Sequence, residues 1–133
     1  MLGIVLVAHN DLAESMKRVV EHVVGPLPDL VCVSVLPEDD IDLKRQEIQK
    51  AIRKVKKKDG VVLLTDMFGG TPSNLAISLM EEGKIEVISG MNLPMLVKLV
   101  RMRKKSLGEA VKAAAESGSH YIMVASDLLE RKE

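Results

Sequence analysis

His9 follows five consecutive aliphatic residues, and this position makes it the first candidate for chemistry in the chain. An apolar run without alternation is typical of a strand that helices cover on both faces. In sheets of that kind, ligands bind at the edge formed by the carboxyl ends of the strands. The sequence therefore predicts that His9 lies at a ligand-binding edge.

A second polar group, Asp66, follows the apolar residues 61–64 and Thr65 in the same way. In a flavodoxin-like strand order the first and third strands are neighbours, so the two side chains are expected within hydrogen-bond reach. A carboxylate that accepts from one ring nitrogen fixes the tautomer and leaves the other nitrogen as a base, a ligand or a nucleophile. We therefore predict that His9 and Asp66 form a catalytic pair.

A glycine-rich turn after Asp66 favours phosphoryl chemistry at this pair. Gly69 and Gly70 precede Thr71-Pro72, which predicts a helix with Thr71 as its N-cap. Backbone N–H groups at such a turn, together with the positive end of the helix, suit an anion. Gly69, Gly70 and Thr71 are therefore predicted to bind phosphate beside His9.

Other chemistries of a strand-end histidine or aspartate fit the sequence less well. Neither His22 nor His120 has ligand-like spacing to His9, so no metal site is expected. The G-x-S-x-G motif of acyl transfer does not occur. By resemblance, a receiver domain that is phosphorylated on Asp66 would also have an acidic pair near position 9 and a lysine after the last strand. This chain has His9-Asn10 and Ala125-Ser126 at those places.

Apolar segments alternate with amphipathic ones along the whole chain, which predicts one domain over residues 1–133. This alternation is typical of an α/β fold with an open, mostly parallel sheet and helices on both faces. Asn92 is the predicted N-cap of one helix, and Ser106 with Glu109 forms a capping box for another. The predicted strands cover residues 3–9, 30–36, 61–64, 85–88 and 121–125, and the predicted helices cover 11–24, 41–58, 71–82, 93–105 and 107–117.

The composition argues against nucleic acid and anionic lipid as partners. Nineteen basic and nineteen acidic residues give a formal net charge of zero, so the chain has no excess of positive charge to attract either one. Cys32 is the only cysteine, which excludes a disulfide framework within the chain. No apolar run reaches the length of a membrane span, and the N-terminus lacks the basic region of a signal peptide. We expect a soluble cytoplasmic protein that does not insert into membranes.

Three motifs follow one another along nearly the whole chain. Residues 2–9 with Leu-Ala-Glu at 12–14 form the first, Asp-Met-Phe-Gly-Gly-Thr-Pro-Ser-Asn at 66–74 the second, and Gly-Met-Asn-Leu-Pro-Met-Leu at 90–96 the third. Together they resemble the mannose/fructose/sorbose-type enzyme IIA proteins of the bacterial sugar phosphotransferase system.

The resemblance implies a phosphotransferase that works through a phosphohistidine at His9. It implies that His9 accepts a phosphoryl group from the phosphocarrier protein HPr and passes it to an enzyme IIB, without a small-molecule cofactor. Asp66 would orient the imidazole, and Thr71 would help to hold the phosphate. The resemblance also implies a homodimer in which the last strand, residues 121–125, runs antiparallel to the others and is exchanged between subunits.

The chain departs from the family pattern on both sides of the histidine. Ala8-His9-Asn10 stands where the family usually has Ser-His-Gly. Asparagine tolerates left-handed backbone angles better than most residues, so the turn after His9 is expected to survive. The hydroxyl of the usual serine is lost.

Two further functions remain open at the level of sequence. One is a regulatory protein whose phosphorylation state is sensed by a partner and does not serve transport. The other is the related phosphocarrier subunit of dihydroxyacetone kinase, whose opening strand and histidine look similar but whose second motif lacks Phe-Gly-Gly-Thr-Pro.

Overall fold

The computed structural model describes residues 1–130, which form a four-stranded parallel sheet with helices on both faces. The strand order is β2-β1-β3-β4, so the predicted α/β class and parallel sheet are confirmed. The strands are β1 Gly3–His9, β2 Leu30–Val35, β3 Val61–Thr65 and β4 Ile85–Ser89, and the helices are α1 Leu12–Val24, α2 Ile41–Val55, α3 Thr71–Ile77, α4 Leu93–Arg101, α5 Leu107–His120 and α6 Ala125–Glu130.

Each face of the central strands carries its own apolar core, because successive side chains of a strand point to opposite faces. On one face, Leu6 and Leu64 pack in a cluster with α1, α4 and α5, whereas on the other face Val5 and Leu63 pack in a cluster with α2 and α3. Burial on both faces explains why the strand sequences are continuous aliphatic runs without alternating polar residues. β1 and β3 are hydrogen-bonded neighbours in the middle of the sheet.

The N-caps predicted for α4 and α5 are observed, whereas the one predicted for α3 is not. Asn92 accepts a hydrogen bond from the backbone N–H of Met95 at 3.0 Å, as expected for an N-cap. Ser106 accepts one from the N–H of Glu109 at 3.3 Å, which confirms the second predicted cap. Thr71, however, is the first residue of α3 and its N-cap is Gly70, so the predicted N-cap is wrong by one residue.

Helix α3 is also shorter than expected, because it ends at Ile77 and not at residue 82, the end of the predicted helix. The Ser78 hydroxyl donates to the carbonyl of Leu75 at 2.6 Å and so competes for a helical acceptor. The next backbone bonds, Leu79 N–H to Ala76 and Met80 N–H to Ile77, span three residues and not four. The chain therefore leaves the α-helix through tight turns.

The predicted last strand, residues 121–125, is wrong for the single chain. The N–H groups of Tyr121 and Ile122 donate to carbonyls of Ser117 and Ser119 at the end of α5, and α6 then begins at Ala125. A strand needs the backbone of a neighbouring strand, and within residues 1–130 the strand pairings join only β1, β2, β3 and β4. Ile122 is left 75% exposed.

A buried arginine holds the amino-terminal edge of the sheet opposite His9. The guanidinium of Arg103 donates to the backbone carbonyl oxygens of Leu2, Pro28 and Asp29 at 2.7–3.0 Å. These carbonyls lie where the chain enters β1 and β2, so Arg103 ties the two strands and the end of α4 together. None of the helices within residues 1–130 has the length and apolar character to cross a bilayer.

Candidate functional site

His9 and Asp66 meet at the carboxyl edge of the sheet, as their strand ends predict. Val7 pairs with Thr65 in the β1–β3 register, so the residues that follow leave the sheet side by side. Nδ1 of His9 lies 2.7 Å from Oδ2 of Asp66, and the backbone N–H of His9 donates to the same oxygen at 2.9 Å. One carboxylate oxygen therefore fixes the ring relative to its own backbone.

The environment of Asp66 keeps this carboxylate ionised. Its side chain is only 11% exposed, and its second oxygen, Oδ1, accepts from the N–H of Met67 at 3.0 Å. Burial alone would raise the pKa of Asp66, but the hydrogen bonds from the backbone and ring of His9 outweigh burial, and the pKa lies below its usual range. An ionised carboxylate only accepts hydrogen bonds, so Nδ1 carries the proton and Nε2 of the neutral ring keeps a free lone pair.

The Nε2 side of the ring faces the glycine turn. A Cβ atom placed on Gly70 would lie 3.1 Å from Cε1 and 3.6 Å from Nε2 of His9. Gly69 has a φ of 91°, a left-handed angle that glycine adopts without strain. The structure thus brings the backbone of Gly70 against the ring. The His9 side chain remains 47% exposed, and it lines a surface cleft together with Thr71.

A chain of three hydroxyl groups lies behind the site. Thr65 donates to Ser89 at 2.9 Å, and the oxygens of Ser89 and Ser73 lie 3.0 Å apart. Thr65 and Ser73 are fully buried, so these bonds fasten the first turn of α3 to the ends of β3 and β4. These three hydroxyls were not predicted from the sequence, where the one signal is Thr65 at the end of an otherwise aliphatic strand.

The turn after His9 keeps the geometry expected from Asn10. Asn10 has a φ of 50°, in the left-handed region, and its N–H donates to the carbonyl of Val35 at 3.0 Å. The prediction that asparagine preserves this turn is therefore confirmed. Ala8 is fully buried among the core residues beneath the site.

A cleft of about 300 Å³ opens beside His9, between the end of β2 and the start of α2. Lys44 lines this cleft with only 13% of its side chain exposed, and its Nζ lies 3.0 Å from Glu47 and 3.4 Å from Asp39. Burial alone would lower the pKa of Lys44, but these two carboxylates outweigh burial and raise it. Lys44 was not predicted as a site residue, because its sequence position is that of an ordinary solvent-exposed lysine on a helix.

The other two histidines are not part of this site. His22 lies on α1, and His120 lies at the end of α5, where its ring packs edge-on against Tyr121 with a centroid distance of 5.0 Å. The arrangement around His9 is therefore an imidazole with one nitrogen held by a buried carboxylate and the other facing an open surface. Such an imidazole is suited to accept a group from a large donor.

Residues 3–116 match the family described as EIIA-man, PTS system fructose IIA component. The PTS fructose-specific EIIA component of Bacillus subtilis (strain 168) is 26% identical over 136 residues, which cover 98% of this chain and 91% of that protein. The PTS mannose-specific EIIAB component of Escherichia coli (strain K12) is 28% identical over 120 residues, 88% of this chain but only 37% of that protein.

Solved structures agree with the sequence comparisons. The crystal structure of phosphotransferase system component EIIA from Streptococcus agalactiae matches with a TM-score of 0.85 and 26% identity, over 96% of this chain and 99% of that one. The resemblance found in the three motifs is thus confirmed over most of the chain. The chain belongs to the EIIA-man family, the fructose IIA components of the phosphotransferase system.

Proposed function

We propose that this chain is a phosphocarrier that accepts a phosphoryl group on Nε2 of His9 from HPr and passes it to an enzyme IIB during sugar uptake. The observation that carries the proposal is the 2.7 Å contact between Nδ1 of His9 and Asp66, which leaves Nε2 free at an exposed surface. Family membership supplies the phosphotransferase system as the context. The EIIAB relative, which carries an IIA and an IIB component in one name, supports an IIB acceptor.

The transfer needs no group besides the two proteins. The lone pair of Nε2 attacks the phosphorus of the donor phosphohistidine, the Nε2–P bond forms, and the donor N–P bond breaks with its electron pair left on the donor ring. Positive charge that develops on the His9 ring faces the Asp66 carboxylate through the Nδ1 proton. Transfer to the enzyme IIB reverses these roles.

The phosphoryl group would lie against the turn formed by Gly69, Gly70 and Thr71. Gly70 lies next to Cε1 and Nε2 and has no side chain to fill the space that a phosphoryl group needs. The backbone N–H groups of the turn and the Thr71 hydroxyl are the hydrogen-bond donors that we assign to the phosphoryl oxygens. Asp66 acts through the ring, as a positioning residue, and does not contact phosphate.

A homodimer is part of the same proposal. Residues 121–124 are exposed and largely apolar, and an open groove between α4 and α5 is lined by Leu93, Val97 and Tyr121. Exchange of the segment after α5 between two subunits would cover both surfaces at once. The exchanged segment would then pair antiparallel with a sheet edge of the partner.

The decisive experiment is phosphorylation with phosphoenolpyruvate, enzyme I and HPr. We expect label on the wild type that is lost in acid and stable in base, because phosphoramidates hydrolyse once protonated. Phosphorus NMR of the labelled protein should report an Nε2 phosphohistidine. Label that persists in His9→Ala, or that survives acid, would contradict the proposal.

A further inference from the structure

Three hydroxyl groups behind the site, here called the hydroxyl bridge, join β3 and β4 to α3. Ser89 lies at its centre, because its oxygen accepts from the Thr65 hydroxyl at 2.9 Å and lies 3.0 Å from the oxygen of Ser73. Thr65 and Ser73 are both fully buried. A buried hydroxyl is costly unless it is hydrogen-bonded, so the bridge holds these three side chains in one arrangement.

The two ends of the bridge adjoin the two halves of the proposed site. Thr65 directly precedes Asp66, whose carboxylate holds Nδ1 of His9. Ser73 lies in the first turn of α3 and follows Gly70, the glycine beside Nε2. The bridge therefore extends from the residue that orients the ring to the turn that would hold the phosphoryl group.

The bridge is also the polar attachment of that turn. Within residues 1–130, the contact between Ser73 and Ser89 is the one hydrogen bond that joins residues 69–74 to the sheet. The end of β3 is held in a second way, because two backbone N–H groups after β4 donate to the carbonyl of Thr65 at 2.9 and 3.0 Å. Loss of the Ser89 hydroxyl should therefore free the turn and leave the ring-orienting carboxylate in place.

The position of the turn matters because the reacting atoms must be close and aligned. A misplacement of about 1 Å can cost about 100-fold in rate. The backbone of Gly70 already lies close to the ring, since a Cβ atom there would be 3.1 Å from Cε1 of His9. A small movement of the turn would therefore change the space beside Nε2.

Resting on the proposed function, we infer that Ser89 is a positioning residue for phosphoryl transfer. Its hydroxyl holds Ser73, and through Ser73 it fixes the phosphate-binding turn relative to the His9–Asp66 pair. Ser89 acts through this neighbour and is assigned no contact with the phosphoryl group. The inference extends the site to β4, a strand that supplies no other residue of the proposed site.

Ser89→Ala tests the bridge, with Ser78→Ala as the matched control. Ser78 follows α3, and its hydroxyl also makes a part-buried hydrogen bond, at 2.6 Å to the carbonyl of Leu75. We expect Ser89→Ala to lower kcat for transfer from phospho-HPr about tenfold, with KM within about twofold of the wild type. Ser78→Ala should keep the wild-type kcat. With phosphoramidate as the donor, Ser89→Ala should show the same loss, because the defect lies in the site and not in recognition of a protein.

Three further measurements separate positioning from a general loss of structure. Nitrogen NMR of Ser89→Ala should still show the His9 ring with its proton on Nδ1, because the contact with Asp66 is retained. Ser89→Thr keeps the hydroxyl and should restore most of the rate. Ser73→Ala opens the bridge from its other end and should show the same loss as Ser89→Ala, and the variant carrying both alanines should be no slower than either one alone.

The outcomes separate this inference from the proposed function. A wild type that phospho-HPr does not label on His9 would overturn both. A labelled wild type, with Ser89→Ala and Ser78→Ala equally active, would overturn the role of Ser89 alone, and so would losses that add in the double variant or a loss confined to KM. If Ser89→Ala does not fold, full activity of Ser73→Ala would overturn the inference, and a tenfold loss of kcat in Ser73→Ala that Ser78→Ala does not share would support it.

Discussion

The oxygen Oδ2 of Asp66 accepts two hydrogen bonds from a single residue, the ring and the backbone N–H of His9. An amide at position 66 can instead present an N–H group to the ring and favour the tautomer with the proton on Nε2. We therefore expect Asp66→Asn to slow phosphoryl transfer from HPr by at least about tenfold, which is roughly 1.4 kcal/mol of barrier. Rapid-quench labelling measures this rate.

Asp11→Asn is the matched control, because Asp11 is an exposed carboxylate on the same edge that makes no side-chain cap bond. It should transfer at close to the wild-type rate. If Asp66→Asn also keeps the wild-type rate, Asp66 does not orient His9. Loss of the folded state in this variant would make Asp66 a structural residue.

The His9–Asp66 contact should also make the free energy of unfolding depend on pH in the acid range. Because the pKa of Asp66 is lowered in the folded chain, its contribution is complete above the ordinary carboxyl pKa of about 4 and is lost as the pH falls through the folded value. We expect the wild type to be more stable than Asp66→Asn at pH 5 and this difference to shrink below about pH 4. Urea unfolding at each pH gives the two free energies, and a difference unchanged down to pH 2 would contradict the contact.

Gly70 tests whether free space beside Nε2 is needed. Its φ is −85°, so alanine is allowed there by the backbone, but the added Cβ would lie 3.1 Å from Cε1 of His9. We expect Gly70→Ala to leave the free energy of unfolding nearly unchanged and to reduce phosphorylation about tenfold with either HPr or phosphoramidate. Gly108→Ala, where no atom lies within 4 Å of the new Cβ, should not reduce it.

At the scale of the elements, Arg103 makes a stability prediction. Replacing it with methionine would take two buried guanidinium hydrogen bonds from the carbonyl oxygen of Leu2 and one each from the part-buried carbonyls of Pro28 and Asp29, of which Asp29 keeps the N–H of Ile4. We expect Arg103→Met to lower the free energy of unfolding by at least about 2 kcal/mol in urea titrations. Arg101→Met, an exposed position on the same segment, should change it by less than about 0.5 kcal/mol.

The elements show which parts of the fold follow from local sequence. The aliphatic runs of β1 and β3 predicted a buried parallel sheet because burial on both faces leaves no polar positions. The start of α3 and its end at Ile77 were misplaced, since Gly70 and the Ser78 hydroxyl act through geometry that residue type alone does not specify. The His9–Asp66 contact was predictable because parallel strands place their ends together, whereas Lys44 and the Thr65–Ser89–Ser73 hydroxyls depend on tertiary packing.

For the whole molecule, the exposed segment after α5 predicts self-association. We expect light scattering at micromolar concentration to give twice the mass of one chain, and Ile122→Asp to shift the protein towards the monomer. Leu43→Asp, an equally large change at an exposed position on α2, should leave the mass unchanged. A monomer mass for the wild type would remove the dimer and leave the His9 site intact.

Strand exchange has its own signature. The amide hydrogens of Met123 and Val124 donate no backbone hydrogen bond within residues 1–130. If the segment pairs with a sheet edge in the partner subunit, these amides should be protected from hydrogen exchange in the wild type. Rapid exchange of both amides in a dimer would show that the subunits associate without an added strand.

The sequence separation between His9 and Asp66 has a consequence for the chain while it is being synthesised. His9 and Asp66 are 57 residues apart in sequence and meet only because β3 pairs with β1. A chain still being synthesised carries His9 almost from the start, but without β3 its imidazole has no carboxylate to fix the tautomer. The ribosome must therefore release β3 and Asp66 before this contact can form, so the proposed phosphoryl site cannot assemble on a shorter nascent chain.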